Sequence, residues 1–183
     1  GLPKPDHEPL DAHPSVSGEF LTRVGCGDIT AKGAIDRFEP NAVIFKDGTR
    51  EEIDAIVWAT GYKVSFPFFD DPELTPKDNR LPLFKRMVKP GYENLFFLAL
   101  AQPLPTLVNF AEQQSKLAAA AVAGEYAFPD HKEMDRITAA DEKTHMGHFY
   151  QAARHTMQVE FNTYVRDLLQ EYEKGRRRAR VTA

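Results

Sequence analysis

The stretch Glu51-Glu52-Ile53-Asp54-Ala55-Ile56-Val57-Trp58-Ala59-Thr60-Gly61-Tyr62 decides how the fold is read. Ala55 to Ala59 is uncharged and mostly apolar, the composition of a short strand buried on both faces. Thr60-Gly61 then permits a sharp exit, because glycine enters backbone conformations that a side chain disfavours. A buried strand ending in a small-residue turn is where α/β proteins hold ligands. Just upstream, Lys46-Asp47-Gly48-Thr49 predicts a tight hairpin, so Val43 to Phe45 should pair with the segment leading into Ile53.

Working outward, Ser17 to Val24 is expected as a short helix capped by Ser17 and stopped at Gly25. Ile29 to Lys32, Ala34 to Phe38 and Ala42 to Phe45 read as strands. After Tyr62 the chain becomes proline-rich and aromatic through Pro82, the character of a stretch that wraps a core built elsewhere. Phe66, Phe68 and Phe69 are expected to anchor it rather than to line a substrate channel. Leu83 to Val88 and Leu95 to Leu100 read as two further strands around the Lys89-Pro90-Gly91 turn. A helix is expected from Leu107 to Ala123, with Thr106 as cap and Gly124 as stop. A capping box at Asp130 and Glu133 starts another, to about Thr144. The stripe Met157, Phe161, Tyr164, Val165, Leu168 and Tyr172 marks a last one. Strands followed by helices would be α+β in a complete protein. A doubly wound nucleotide-binding domain, however, needs a first strand, a glycine turn and a helix to hold a pyrophosphate. None is present here, so the expectation is the C-terminal portion of an α/β protein.

The 183 residues suffice for one large core or two small ones, and 42% hydrophobic with 27% charged residues is ordinary for a soluble globular chain. The longest apolar run, Leu95 to Ala101, has strand length rather than membrane-spanning length, and Gly1 to Asp6 has no signal-peptide core. A cytoplasmic protein without membrane contact is the default expectation. The single Cys26 excludes an internal disulfide and paired-cysteine redox chemistry. Net charge is −4 although Lys174 to Ala183 carries five basic residues and no acid, so the body is acidic and no nucleic-acid partner is expected. That basic tail reads as a frayed, solvated terminus. Gly25-Cys26-Gly27-Asp28-Ile29-Thr30 lacks the third glycine of a dinucleotide loop and reads as a helix stop. His145, His148 and His155 lack the spacing and partner ligands of a metal site, so no metal is expected.

The second informative stretch is Asn94-Leu95-Phe96-Phe97-Leu98-Ala99-Leu100-Ala101-Gln102-Pro103-Leu104-Pro105-Thr106-Leu107. A strand feeds a proline-framed loop and then a helix N-terminus, whose free N–H groups suit an electron-rich acceptor. Gln102 adds an amide donor there, or it merely satisfies the loop.

Several segments in this order resemble flavin-containing monooxygenases: Ala59-Thr60-Gly61-Tyr62, Leu95-Phe96-Phe97, Gln102-Pro103-Leu104, Ala111-Glu112-Gln113-Gln114, and His155-Thr156-Met157-Gln158. Leu2-Pro3-Lys4-Pro5-Asp6-His7 is similar to the bacterial-type members. Pro105 stands where that family has a small, glycine-like residue. The resemblance implies a partial flavoprotein with two dinucleotide-binding domains: residues 1–60 end the NADPH-binding domain and residues 61–183 complete the FAD-binding domain. Thr60 and Gly61 form the crossover between them, and Gln102, Thr106 and Leu107 lie near the flavin, with its N1 and O2 edge as the acceptor. The family binds FAD and NADPH, and through a flavin hydroperoxide it oxygenates nucleophilic N or S atoms, or ketones. No residue here is expected as a catalytic acid, base or nucleophile, and this portion alone is expected to be inactive. The partner is a small-molecule substrate, with self-association through the Leu95 to Ala101 segment and the alanine-rich helix. Two alternatives are a non-enzymatic helical interaction module and an amino-acid N-hydroxylase of related architecture.

Overall fold

The computed structural model describes residues 2, 4, 8, 11, 17–104, 106–146, 149 and 156–182, with backbone alone for 145, 146 and 182. They form two compact units, the first giving way to the second between Gly61 and Tyr62.

In the first unit, α1 (Phe20–Cys26) begins where Ser17 Oγ accepts the Phe20 N–H at 3.2 Å. It closes at Gly27 rather than Gly25: Gly27 has φ 84°, and the N–H groups of Gly27 and Asp28 bond back to Val24 and Arg23 at 3.2 and 3.0 Å. The Gly25-Cys26-Gly27 stretch is therefore a helix end. An antiparallel sheet follows, in the order β1 (Ile35–Glu39), β2 (Ala42–Phe45), β3 (Arg50–Glu52). Its second turn is the anticipated hairpin. Asp47 Oδ1 accepts from the N–H and hydroxyl of Thr49 at 2.9 and 2.7 Å, Gly48 takes φ 84°, and Val43 pairs with Glu51. Ala42, Val43 and Ile44 are buried.

Two expected strands of this unit are absent. Ile29 to Lys32 has no ladder, and Ala55 to Ala59 lies without a pairing partner among the described residues, with Val57 91% and Trp58 63% exposed. The Trp58 ring packs edge-on against Phe38, 5.6 Å between centroids. An apolar run becomes a buried strand only if strands flank both edges and layers cover both faces. Both edges of β2 are already taken, and β3 ends at Glu52.

The second unit sets three helices around a two-stranded parallel sheet. β4 (Gln102–Leu104) pairs with β5 (Gln158–Glu160) in the register Gln102 to Gln158, Pro103 to Val159 and Leu104 to Glu160. The helices are α2 (Leu107–Val122), α3 (His131–Met146) and α4 (Phe161–Thr182). Phe84, Met87, Phe110, Leu117, Met134, Val159, Tyr164 and Leu168 make the core, each large apolar side chain contributing about 1.5–3 kcal/mol by its burial. Phe110 stacks on Tyr164 at 4.3 Å. The helical stripe on α4 is as anticipated, except that Met157 precedes the helix. Asp130 Oδ1 accepts the Glu133 N–H at 2.8 Å and so caps α3, and Gly124 (φ 74°) ends α2. Phe66 and Phe69 pack on a smaller cluster of Leu74, Leu83 and Phe97, whereas Phe68 is 74% exposed.

The segments Leu83 to Val88 and Leu95 to Leu100 are buried or half-buried, apart from exposed Leu98, but are not strands. The first is a tight reversal, closed by bonds of 2.7 and 3.1 Å between the backbones of Phe84 and Val88, with Lys85 and Arg86 at φ 48° and 53°. The second is broken at Ala99, φ 62°. Apolar composition reports burial, and burial does not require extended backbone. The basic terminus is also ordered rather than frayed, because α4 continues to Thr182. Arg178 Nε donates to the Ala127 carbonyl at 2.9 Å, its guanidinium pairs with buried Glu171, and it lies over the Tyr126 ring. Gly175 permits this docking: a Cβ there would sit 2.0 Å from the Tyr126 ring.

Candidate functional site

Both parallel strands run into helix N-termini, β5 directly into α4 and β4 across Pro105-Thr106 into α2. The two ends differ in one respect. At α4 the chain supplies its own anion: Glu160 Oε2 accepts the Thr163 N–H at 2.6 Å and Oε1 the Asn162 N–H at 3.2 Å. At α2, Thr106 occupies the cap position in extended conformation, but its hydroxyl makes no capping bond and the first turn holds no acid. The expected Thr106 cap is therefore positional only, since the side chain satisfies no first-turn donor. That end of α2 keeps donor N–H groups and the positive pole of the helix, which suits an electron-rich acceptor.

Gln102, Thr106 and Leu107 come together at this junction. Gln102 is exposed, its backbone N–H held by the Met157 carbonyl at 2.6 Å; Thr106 is half-buried and Leu107 44% exposed. Thr60 and Gly61 lie in the other unit and are both exposed, with Gly61 at φ 91°, a backbone conformation that favours glycine.

Behind the junction stands Gln114, fully buried on α2. Its Oε1 accepts the Ala99 N–H at 2.8 Å, and its Nε2 donates to the Tyr164 hydroxyl at 2.9 Å and the Arg86 carbonyl at 3.4 Å. The Tyr164 hydroxyl donates in turn to the Lys85 carbonyl at 2.8 Å. One amide thus ties together the left-handed residues Lys85, Arg86 and Ala99, the last of which precedes β4 by three positions. Burial pushes the Tyr164 phenol far above its ordinary range. Desolvation also lowers Arg86, against the pull of Glu142, Tyr164 and Asp141. Lys85, itself buried, is neutralised by Asp141 at 2.8 Å.

Sequence reasoning placed Gln114 in a motif but gave it no role, and gave Gln158 none either. A glutamine on the apolar face of a helix signals a buried amide, and that was available for Gln114. The carbonyl oxygen of Gln158 is buried with no hydrogen-bond partner among the described residues, a state that ordinarily costs about 1–3 kcal/mol.

Among the described residues no cluster of three or more His, Cys, Asp or Glu forms a metal site; His148, His155 and the His145 side chain lie outside the description. Pro105 lies outside it too. Cys26 is exposed. No helix among the described residues is long and apolar enough to cross a membrane.

Residues 2–175 match the family model described as flavin-binding monooxygenase-like. The chain belongs to this family. It is 35% identical over 162 residues to flavin-containing monooxygenase 5 of Oryctolagus cuniculus, covering 86% of this chain and 30% of that protein. It is also 30% identical over 167 residues to the rat N-oxide-forming dimethylaniline monooxygenase 2, covering 90% of this chain and 31% of that protein. The solved S-allyl-L-cysteine S-oxygenase of Allium sativum superposes with a TM-score of 0.58 at 31% identity, covering 73% of this chain and 31% of that one. The chain therefore spans about a third of the length of these flavin-containing monooxygenase relatives. Family membership implies a flavin cofactor and agrees with the mixed α/β build of short strands followed by helices.

Proposed function

We propose that this chain is the C-terminal part of an FAD- and NADPH-dependent monooxygenase, in which the β4–α2 junction takes the pyrimidine edge of the flavin. The observation that carries this reading is the contrast between the two helix N-termini. One is filled by the chain's own carboxylate, and at the other the cap residue Thr106 makes no side-chain capping bond and the first turn holds no acid. The residues fit the group: N–H donors of α2 and the exposed amide of Gln102 suit N1 and O2, which gather negative charge on reduction. Thr106 and Leu107 flank that edge, while Thr60 and Gly61 form the crossover between the nicotinamide-binding and flavin-binding domains. Residues 1–60 close the former and residues 61–183 the latter. When bound, the flavin would supply hydride acceptance from NADPH and activation of dioxygen, one oxygen atom passing to substrate and the other to water. The names of the rat and garlic relatives favour N- or S-oxygenation of a small molecule over oxygenation of a ketone.

The test is a visible spectrum of the full-length protein. Flavin absorbance should bleach when NADPH is added without oxygen and return in air, with an amine or sulfide consumed. A colourless protein that takes up no FAD would refute the reading and favour an interaction module; hydroxylation of an amino-acid amine alone would favour the N-hydroxylase.

A further inference from the structure

We infer that Gln158 is a flavin-contacting residue whose side-chain carbonyl accepts the hydrogen bond of the isoalloxazine imide N–H, at N3; this rests on the flavin reading above.

The register of the parallel pair carries the argument. Residues opposite one another in a sheet share a face, and successive residues alternate between faces. Val159 lies in the core, so its neighbour Gln158 turns to the opposite face, which it shares with Gln102. Gln102 is exposed, so this face is the one open to a ligand at β4. Adjacent strands stand about 4.8 Å apart, and a planar ring lying against Gln102 is therefore within one side chain of Gln158. Gln158 is nevertheless 1% exposed, and its Oε1 is the one buried side-chain oxygen or nitrogen without a partner among the described residues. Native folds rarely retain such a group without a use for it.

The chemistry is complementary. The pyrimidine edge of a flavin presents acceptors at N1, O2 and O4 and one donor, the N3–H. A helix N-terminus offers only donors and leaves the N3–H without a partner. An uncharged carbonyl beside it supplies the missing acceptor without placing a negative charge next to an edge that becomes anionic on reduction. Glutamine provides this where glutamate would oppose it.

The experiment uses the full-length protein loaded with FAD that carries nitrogen-15 at N3. The N3–H proton should give a resonance that exchanges with water more slowly than in free FAD. In Gln158→Met the resonance should shift and its exchange speed up, and FAD should bind about three- to tenfold more weakly. An unchanged resonance and unchanged FAD affinity in Gln158→Met would overturn the inference while leaving the flavin reading intact. A full-length protein that binds no flavin overturns both. Should Gln158→Met fail to fold, the unmodified protein decides the matter, since an N3–H that exchanges as fast as in free FAD overturns the inference. Gln158→Glu gives an independent arm: it keeps the acceptor but should make the bound flavin harder to reduce, and an unshifted potential also counts against the contact.

Discussion

Replacing Gln114 by leucine tests the organisation of the second unit most directly. The substitution keeps a buried side chain on α2 but removes the bonds to Ala99 N–H at 2.8 Å, the Tyr164 hydroxyl at 2.9 Å and the Arg86 carbonyl at 3.4 Å. The first two have ideal length and are worth about 1 kcal/mol each, and stripping a bond from the half-buried Ala99 N–H and the buried Tyr164 hydroxyl adds about as much again. The third is too long to count fully. The expected loss is therefore about 2–4 kcal/mol of unfolding free energy. Urea denaturation followed by far-ultraviolet circular dichroism measures it on this chain. A second arm separates bonding from strain. Ala99→Gly relieves a left-handed alanine, a relief of about 1 kcal/mol, so it should leave stability unchanged or raise it. A Gln114→Leu cost below about 0.5 kcal/mol, or an Ala99→Gly cost comparable to that of Gln114→Leu, would refute the idea that this amide holds a strained turn in place.

Gly175→Ala should destabilise the second unit by about 2 kcal/mol or more despite a helix-propensity gain of about 1 kcal/mol, because the new methyl overlaps the Tyr126 ring. In a Tyr126→Leu background the penalty should shrink, and chemical denaturation of both pairs checks this. Tyr92→Phe should weaken the fold at neutral pH and lose that effect in acid. The Tyr92 hydroxyl bond, with the Glu73 N–H second, holds the Asp71 carboxyl below its ordinary value of 3.8. A lowered folded-state pKa gives stability that is present above the unfolded value and lost as pH falls through the folded one. The difference between Tyr92→Phe and the unmodified chain should therefore close below about pH 4, as read from urea midpoints across pH; a difference constant with pH would count against it.

Much of the local structure was legible in the residues. Asp47-Gly48 fixes a hairpin through its own side chain and a left-handed glycine, and Asp130 with Glu133 caps α3, because turns and caps are bonds among neighbours in sequence. The helices α2 and α4 followed from periodicity and α3 from its capping box, and the family from the order of short motifs. The β4–α2 junction was legible as a strand, a proline-framed loop and a helix start. Gln102, Thr106 and Leu107 stand at that junction because they are joined in sequence. What sits behind it was not legible. Leu83 to Val88 and Leu95 to Leu100 read as strands, since an apolar run reveals that a segment is covered and not how its backbone bends.

The left-handed residues Lys85, Arg86 and Ala99 are bonded by Gln114 and Tyr164, which reach them from helices far along the chain. The basic terminus looked like a solvated tail until Tyr126, Ala127 and Glu171 were seen to hold it. Sequence determines whatever is settled within a turn or a helical period. Tertiary structure decides which buried polar groups meet, and those meetings set both the strain and the open hydrogen-bonding positions, because a hydrogen bond joins atoms that are close in space whatever their distance along the chain.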